Sequence, residues 1–349
     1  MVAEDVPARC GPMLRRVSSV IDMFGAGRLA TWEDNILREQ NNGSSDFDVS
    51  VLGLGAMGTI IARTLTERGK RVAVWNRSPG KAEGLRASGV HICDTAEDAL
   101  RASPVSILVL LNSEVARETL GALCASGALA GRALCASGAL AGRTIVNYSS
   151  GSAEEGEELQ KLVAGAGARL VKGTIMSYPR NIGHPESYCI HTGDPGAFED
   201  HRELLELLAG HAIFLPWKEA YALATAINAQ TFTAMLSFFE VAGAAHRMGL
   251  PVRQMARQIN DASRFFAADA IEDALCRFEG AGFAGDQATI DVHEAGFTYI
   301  REYMRSQGAS TPIFDAVCEV VRRAQREGHG EADIAATTKI FAPAEAFTE

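Results

Sequence analysis

DVSVLGLGAMGTIIARTLTERGKRVAVWNRSPGK, residues 48–81, is the stretch that decides the fold of this chain. A short apolar run is followed by the glycines of Gly-Leu-Gly-Ala-Met-Gly, a helical apolar pattern and a second apolar run. This order of strand, glycine-rich turn, helix and strand predicts the first βαβ unit of a dinucleotide-binding domain. We expect Gly53 to make the tight turn, Gly55 to let a pyrophosphate approach, and Gly58 to let helix and sheet pack closely. The predicted cofactor contacts at this helix start are Gly53, Leu54, Gly55, Ala56, Met57 and Gly58.

The end of the second strand indicates which dinucleotide is bound. NAD-binding units usually place Asp or Glu about 20 residues after the first glycines, where it accepts a hydrogen bond from the ribose 2′-hydroxyl. Here Asn76, Arg77 and Ser78 occupy that position, and Lys81 follows one helical turn later. Two cations and a hydroxyl can bind a 2′-phosphate, and no carboxylate repels it. The sequence therefore predicts NADPH, with an ordinary solvated loop as the alternative.

Composition excludes several classes of function. The chain has 349 residues, 47% of them hydrophobic and 22% charged, as in a globular protein of two domains. Its formal net charge is −10 without a block of Lys and Arg, so neither nucleic acid nor an anionic membrane is an expected partner. Seven scattered cysteines without a C-x-x-C motif argue against a structural zinc site. With no evident signal peptide, they predict a cytoplasmic protein.

The chain divides into three predicted segments. Residues 1–46 read as a partly disordered appendage, 47–217 as an α/β Rossmann domain, and 218–349 as an all-α domain. In the α/β segment we expect a buried strand from Val105 to Leu111 and a capping box that begins at Thr95. In the all-α segment we expect helices over 219–249, 251–261, 264–278, 286–306 and 311–327.

Two further features stand out along the chain. An exact tandem repeat, ALCASGALAGR, occupies 122–132 and 133–143; it is too short for a solenoid and predicts only a lengthened surface helix or loop. The helix over 219–249 is apolar on most faces and must be buried on most of them. In a domain of this size, that pattern predicts burial against a second subunit.

Several segments resemble the NADPH-dependent imine reductases of the β-hydroxyacid dehydrogenase and 6-phosphogluconate dehydrogenase-like superfamily. The matching segments are GLGAMG, VWNRSPGKA, LVLLNSEVARETL, GRTIVNYSSGSAEE and KGTIMSYPRNIGHPES. The most specific is the I-M-x-x-P-x-x-I-G-x-P run from Ile175 to Pro185. The resemblance implies reduction of a cyclic imine or iminium with NADPH. It also implies a Rossmann domain joined by the long helix to a helical domain, which interlocks with that of a second subunit in a homodimer.

The resemblance also suggests catalytic residues. Hydroxyacid members of the superfamily use a lysine on the long helix shortly before an asparagine; Asn228 matches the asparagine, but the lysine position falls near Thr225. This difference favours C=N reduction, because an iminium is already protonated. Imine reductases commonly carry an Asp or Tyr proton donor in or just after the I-M-x-x-P run. Tyr178 is the nearest phenol and the predicted donor or orienting residue; a tyrosine that only packs on its loop is the alternative.

Two cations in this region depart from the family pattern. Lys172 stands where the family often has Asp, and Arg180 follows the proline of the run. Together they make the site more basic than an iminium favours. Two explanations stay open: the substrate carries a carboxylate, or Lys172 pairs with an acid such as Asp286 or Asp291. We include both cations among the candidate catalytic residues.

The remaining candidates follow from their positions along the chain. Asn112 ends its predicted strand, where it would touch the nicotinamide ribose or substrate, or serve only as a cap. Leu111, Ser149 and Ser150 are expected to line the cofactor cleft. The candidate substrate-pocket residues are Met176, His184, Asn228, Gln230, Met235 and Phe239. For Gln230, Met235 and Phe239 a core position is the alternative, and for His184 a solvated or core position. No histidine has metal-ligand spacing, so no metal is expected.

Two other functions remain open at this point. One is a β-hydroxyacid dehydrogenase or carbonyl reductase that uses Lys172 or Tyr178 as its acid. The other is a non-catalytic dinucleotide-binding protein, which would follow if no proton donor is present.

Overall fold

A computed structural model describes residues 45–125 and 139–342 of the chain. The predicted appendage, apart from residues 45 and 46, and most of the tandem repeat therefore lie outside the described residues. The described residues up to Ala229 form one compact unit, and those from Gln230 onwards form another. The sequence-based boundary at 217/218 stays a prediction.

The first unit is built on an eight-stranded sheet with the order β3-β2-β1-β4-β5-β6-β7-β8. The strands are β1 Val49–Leu52, β2 Val72–Trp75, β3 His91–Ile92, β4 Val105–Leu108, β5 Thr144–Asn147, β6 Arg169–Ile175, β7 Tyr188–Gly193 and β8 His211–Phe214. Neighbouring strands pair in parallel, except that β6 and β7 are antiparallel. The strand order reverses between β1 and β4, and the crevice outside the carboxyl ends of such strands is where open α/β sheets bind ligands.

Helices cover both faces of the sheet. They are α1 Ala56–Glu67, α2 Gly80–Glu83, α3 Ala96–Ala102, α4 Ser113–Ala125, α5 Ala153–Gly165, α6 Pro195–Asp200 and α7 Arg202–Glu206. Because strand side chains alternate between faces, the sheet has two buried clusters. One packs the valines of β1 and β2 against α1, α6 and α7, and the other packs Leu52 and Leu108 against α3, α4 and α5. The predicted Rossmann-type α/β domain is confirmed.

Local sequence patterns predict the start of α3 correctly but not the end of β4. The capping box predicted at Thr95 is present, since Thr95 and Asp98 exchange side-chain and backbone hydrogen bonds at the start of α3. The predicted strand to Leu111 is wrong at its end, because β4 stops at Leu108. The Leu110 N–H donates to Ser149 Oγ at 3.0 Å, which draws the chain away from the strand ladder.

The second unit is helical, as predicted. Helix α8, Trp217–Arg247, begins in the first unit and is followed by α9 Val252–Cys276, α10 Ile290–Ser306, α11 Pro312–Arg326 and a 3₁₀ helix, Ile334–Ile340. The two helices predicted over 251–261 and 264–278 are one helix, since no proline or glycine interrupts that stretch. Polar residues are accommodated within α9, where Ser263 Oγ donates to the Ile259 carbonyl at 2.8 Å.

The end of α9 is fixed by one buried arginine. Arg277 donates to the carboxylates of Asp273 and Asp286, at 2.6 Å each, and to the Ala284 carbonyl at 2.9 Å. The helix predicted at 286 begins only at Ile290, where Thr289 Oγ1 caps it by accepting from the Val292 N–H. Within the described residues, no helix combines the length and apolar character that a membrane crossing requires.

Candidate active site

The glycine turn between β1 and α1 has the geometry that its sequence predicts. Gly53 has a φ of +97°, and a Cβ at this position would lie 2.3 Å from the Val109 carbonyl oxygen. A Cβ at Gly58 would lie 1.8 Å from the Gly53 carbonyl oxygen. The predicted tasks of these two glycines, the tight turn and the close packing of helix on sheet, are confirmed.

Gly55 differs from the other two glycines because it faces open space. It is the N-cap residue of α1, and a Cβ there would meet no atom of the chain within 4 Å. It borders a groove of about 480 Å³, whose lining includes Leu54, Gly55, Ala56, Arg63, Lys81 and Arg180. This groove fits the phosphates of a dinucleotide, because it lies at a helix start and its lining has three cations and no acidic residue.

The loop after β2 separates into one structural residue and three exposed ones. Asn76 Oδ1 accepts from the Leu54 N–H at 2.8 Å, and Asn76 Nδ2 donates to the Ser78 carbonyl at 3.0 Å. Both ends of this amide are thus engaged inside the chain, so Asn76 holds the glycine turn against the loop. Arg77, Ser78 and Lys81 are exposed. Their predicted contact with a 2′-phosphate stays a prediction.

Asn112 caps a helix. Its Oδ1 accepts from the Val115 N–H at 2.9 Å at the start of α4, which was the plainer of the two sequence interpretations. Leu111 beside it is 83% exposed at the same edge of the sheet.

The two serines after β5 have different environments. Ser149 is 1% exposed, and its hydroxyl accepts from the Leu110 N–H, so its side chain joins the ends of β4 and β5. The prediction that Ser149 lines the cleft is wrong for this buried hydroxyl. Ser150 is exposed, and its carbonyl accepts from the Ser113 N–H at 2.7 Å.

Lys172 is buried in β6 rather than presented on a loop. It is 4% exposed, and its Nζ donates to the Gly173 carbonyl at 2.8 Å. The strand register places it between Asn147 of β5 and Thr192 of β7, so the three side chains share one face of the sheet. Asn147 Nδ2 and Thr192 Oγ1 are buried, and neither has a partner in the described chain.

The pairing of Lys172 with Asp286 or Asp291 of the helical domain stays a prediction, and each of these acids has a partner within its own unit. The Asp286 carboxylate is held by Arg277, and Asp291 Oδ1 accepts from Gln325 at 2.7 Å. Burial lowers the pKa of Lys172 from 10.5 to about 8.

This pKa predicts how Lys172 affects stability. Because the folded-state pKa is depressed, burial of the charge opposes folding fully below about pH 8, and the penalty disappears as the pH rises through 10.5. A pKa difference of this size corresponds to about 3 kcal/mol. We expect Lys172→Met to raise the free energy of unfolding by up to that amount at pH 7 and by almost nothing above pH 10.5, measured by urea denaturation. A gain of equal size at both pH values would contradict this account.

The loop after β6 carries Tyr178 and Arg180. The Tyr178 ring is 48% exposed, and the Arg180 guanidinium carbon lies 4.7 Å from the ring centroid. The loop returns along α1, where Arg68 Nη2 donates to the Gly183 carbonyl at 3.2 Å. His184 is exposed, and its Nδ1 accepts from the Glu186 N–H, so the observed role of this imidazole is to shape the loop.

The other candidate pocket residues are not core residues. Met176 is half-buried after β6. Asn228 is exposed on α8 in the first unit; Gln230, Met235 and Phe239 lie on the same helix in the second unit, and none of the three is buried. Gln230, Met235 and Phe239 are thus not in the core of the described unit, and a role in substrate binding stays a prediction.

Two features were not found from the sequence. Arg63, on the outward face of α1, lines the groove with Arg180; its helical spacing from the glycine turn was the available signal. Tyr148 and His191 form a buried pair, with Tyr148 Oη and His191 Nε2 at 2.9 Å, and burial lowers the pKa of His191 to about 3. Among residues 45–125 and 139–342, no group of three His, Cys, Asp or Glu side chains is arranged to hold a metal ion.

Comparison with known proteins extends over almost all of the described chain. Residues 48–215 match the family described as the NAD binding domain of 6-phosphogluconate dehydrogenase. Residues 214–343 match the NADPH-dependent reductive aminase-like C-terminal domain.

Among solved structures, a protein from Pseudomonas putida KT2440, with only the provisional description of oxidoreductase, is 53% identical and superposes with a TM-score of 0.79. That match covers 87% of this chain and 100% of the other. An imine reductase from Pseudomonas sp. is 32% identical, with a TM-score of 0.75 over 85% of this chain and 99% of its own. An NADPH-dependent reductive aminase from Aspergillus oryzae is 25% identical over 84% of this chain and 96% of its own length.

Proposed function

Because this chain belongs to the imine reductase family, we propose that it uses NADPH to reduce the C=N bond of a cyclic imine or iminium to an amine. The chain is an oxidoreductase of the 6-phosphogluconate dehydrogenase-like superfamily. One observation favours C=N reduction over oxidation of a hydroxyacid. Thr225 occupies the position of the superfamily's proton-handling lysine, exposed one helical turn before Asn228 on α8.

The groove at the start of α1 supports the choice of cofactor. NADPH supplies a hydride when it is bound. The backbone at Gly55 and Ala56 would face its pyrophosphate, and the exposed side chains of Arg77, Ser78 and Lys81 would face its 2′-phosphate. Cations without a competing carboxylate favour the phosphorylated dinucleotide over NADH.

The protein's other tasks are to position the substrate and to control charge and protons. An iminium brings its own proton, whereas a neutral imine needs a donor. We assign this role to Tyr178, which is half-exposed and contacts the Arg180 guanidinium. Lys172 is the second candidate, because a buried ammonium with a pKa of about 8 can release a proton near neutral pH.

Lys172 also keeps one alternative function open. A carbonyl or β-hydroxyacid substrate needs an acid–base group for its oxygen, and Lys172 has a pKa suited to that task. The same buried side chain would then replace the lysine that α8 lacks at Thr225.

We also propose that the protein works as a homodimer of interlocked helical domains. Helix α9 has 25 residues and none of them is buried. Phe265 and Phe266 are 77% and 72% exposed, and on α10 Val292 and Tyr299 are 62% and 71% exposed.

A helix of this length is stabilised mainly by packing of its apolar face, and exposed apolar surface of this extent marks an interface. The family resemblance implies a second copy of the chain as the partner. The substrate pocket would then include Gln230, Met235 and Phe239 on α8.

The function is tested by cofactor consumption with two classes of substrate. We expect NADPH oxidation with 1-pyrroline or 1-piperideine, and no NADP⁺ reduction with small 2-methyl-3-hydroxy acids. The opposite pattern would favour the hydroxyacid alternative.

The proton donor is tested by removing one phenol oxygen. We expect Tyr178→Phe to lower kcat for a neutral imine by a factor of about 10² to 10⁴, because a positioned donor contributes that much. Tyr188→Phe is the matched control, since the Tyr188 ring stacks on His211 at 4.3 Å between centroids and has no assigned chemistry. If Tyr178→Phe turns over normally, Tyr178 is not the donor, and Lys172→Met becomes the decisive variant.

A further inference from the structure

We propose that Arg180 and Arg63, which line the groove at the glycine turn, bind the pyrophosphate of the dinucleotide. This inference deepens the proposed function and rests on it for the identity of the cofactor. It moves Arg180 from the substrate, where its sequence position suggested a catalytic role, to the cofactor.

The groove places both arginines next to the predicted pyrophosphate site. Its lining includes Gly55, Ala56 and Arg63 of the turn and α1, and Pro179 and Arg180 of the loop after β6. This loop is held in position, because Arg68, directly after α1, donates to the Gly183 carbonyl. The location of Arg180 thus depends on a defined contact between the loop and α1.

The groove's cations differ from other basic side chains of the same unit. Arg71, Arg86 and Arg101 each pair with a carboxylate, at 2.7, 2.9 and 2.9 Å. Within the described ranges, neither Arg63 nor Arg180 is paired with a carboxylate. Positive charges that converge on one cavity without an internal counter-ion favour an anionic ligand.

The contact between Arg180 and Tyr178 leaves the guanidinium able to bind an anion. The Arg180 guanidinium carbon lies 4.7 Å from the Tyr178 ring centroid, and a guanidinium carries five N–H donors. The contact with one ring therefore restrains Arg180 and cannot use all of those donors. A pyrophosphate offers the oxygens that this fork matches.

The assignment also removes a difficulty that the sequence raised. Lys172 and Arg180 made the site too basic for an iminium. The pyrophosphate would neutralise the charge of Arg180. Lys172, whose pKa burial lowers to about 8, would then be the one of the two cations left to act on the substrate.

Substitutions at the pyrophosphate site and at the 2′-phosphate site are expected to change the dissociation constants of NADPH and NADH differently. The pyrophosphate is common to both, so Arg180→Ala should raise both dissociation constants by the same factor, about tenfold, as expected for loss of a charge-assisted hydrogen bond. Arg63→Ala should act in the same direction. Arg77→Ala should weaken NADPH far more than NADH, because only NADPH carries the 2′-phosphate.

The experiment is a titration of each purified variant with NADPH and with NADH, followed by quenching of protein fluorescence, with no imine present. Arg101→Ala is the matched control, because it removes one arginine of the same unit outside the groove; it should leave both dissociation constants unchanged. Circular dichroism checks that each variant is folded, and Arg180→Lys should keep part of the affinity.

Two results would overturn the inference. One is unchanged affinity of Arg180→Ala for both dinucleotides, with a raised KM for the imine only, which would return Arg180 to the substrate. The other is a loss confined to NADPH. Because the titration contains no imine, a protein that binds both dinucleotides as expected but reduces no imine would contradict the proposed function and leave this inference standing.

Discussion

Replacing Gly55 by alanine is expected to remove measurable NADPH binding while leaving the protein folded. Gly55 has a φ of −73°, which alanine adopts without strain, and the added methyl group meets no atom of the chain within 4 Å. The same methyl would project into the space where the pyrophosphate must approach the start of α1. We expect the dissociation constant for NADPH to rise by at least about 100-fold, roughly 2.7 kcal/mol. Titration gives this constant, and thermal unfolding reports the fold.

Two other glycines serve as controls for that variant. Gly58→Ala should destabilise the protein itself, because its Cβ would lie 1.8 Å from the Gly53 carbonyl oxygen. Gly80→Ala should change neither property, since no atom lies within 4 Å of the added methyl and the site is outside the turn. Normal NADPH binding by Gly55→Ala would show that the dinucleotide does not pass over this turn.

The second large effect is expected in the helical unit. Changing Phe265 and Phe266 together to aspartate should convert the proposed dimer to a monomer at micromolar concentration. Both rings are more than two-thirds exposed on a helix that has no buried residue, so a partner must cover them for their apolar area to contribute. Sedimentation velocity measures the change directly.

A matched variant separates charge from burial on the same helix. Gln254 and Asn260 are exposed polar residues of α9, and changing both to aspartate adds the same two negative charges. We expect that variant to remain dimeric. A wild-type protein that sediments as a folded monomer, or a Phe265/Phe266 variant that stays dimeric, would rule out the proposed interface.

Much of the fold could be predicted because its signals are local. The glycine turn follows from the backbone demands of Gly53 and Gly58, and the capping box at Thr95 from a four-residue pattern. The end of β4 could not be read in this way, since it depends on a hydrogen bond from Leu110 to Ser149. The continuity of α9 was missed, although neither glycine nor proline lies within Val252–Cys276.

The same difference between local signals and contacts of distant residues applies to the candidate site. Residues contributed by the glycine turn and the loop after β2 could be identified from one stretch of sequence. The surroundings of Lys172 could not, because its burial and its neighbours Asn147 and Thr192 come from the register of three strands. The shared groove of Arg63 and Arg180 likewise appears only when a distant loop returns to α1.

The central claim is that this chain adds a hydride to the carbon of a C=N bond. The most direct test is the reduction of 2-methyl-1-pyrroline with NADPH that carries two deuterium atoms at C4 of its nicotinamide. We predict 2-methylpyrrolidine with one deuterium at C2, detected by mass spectrometry and NMR. Absence of the labelled amine, together with deuterium transfer to a carbonyl substrate under the same conditions, would contradict the account.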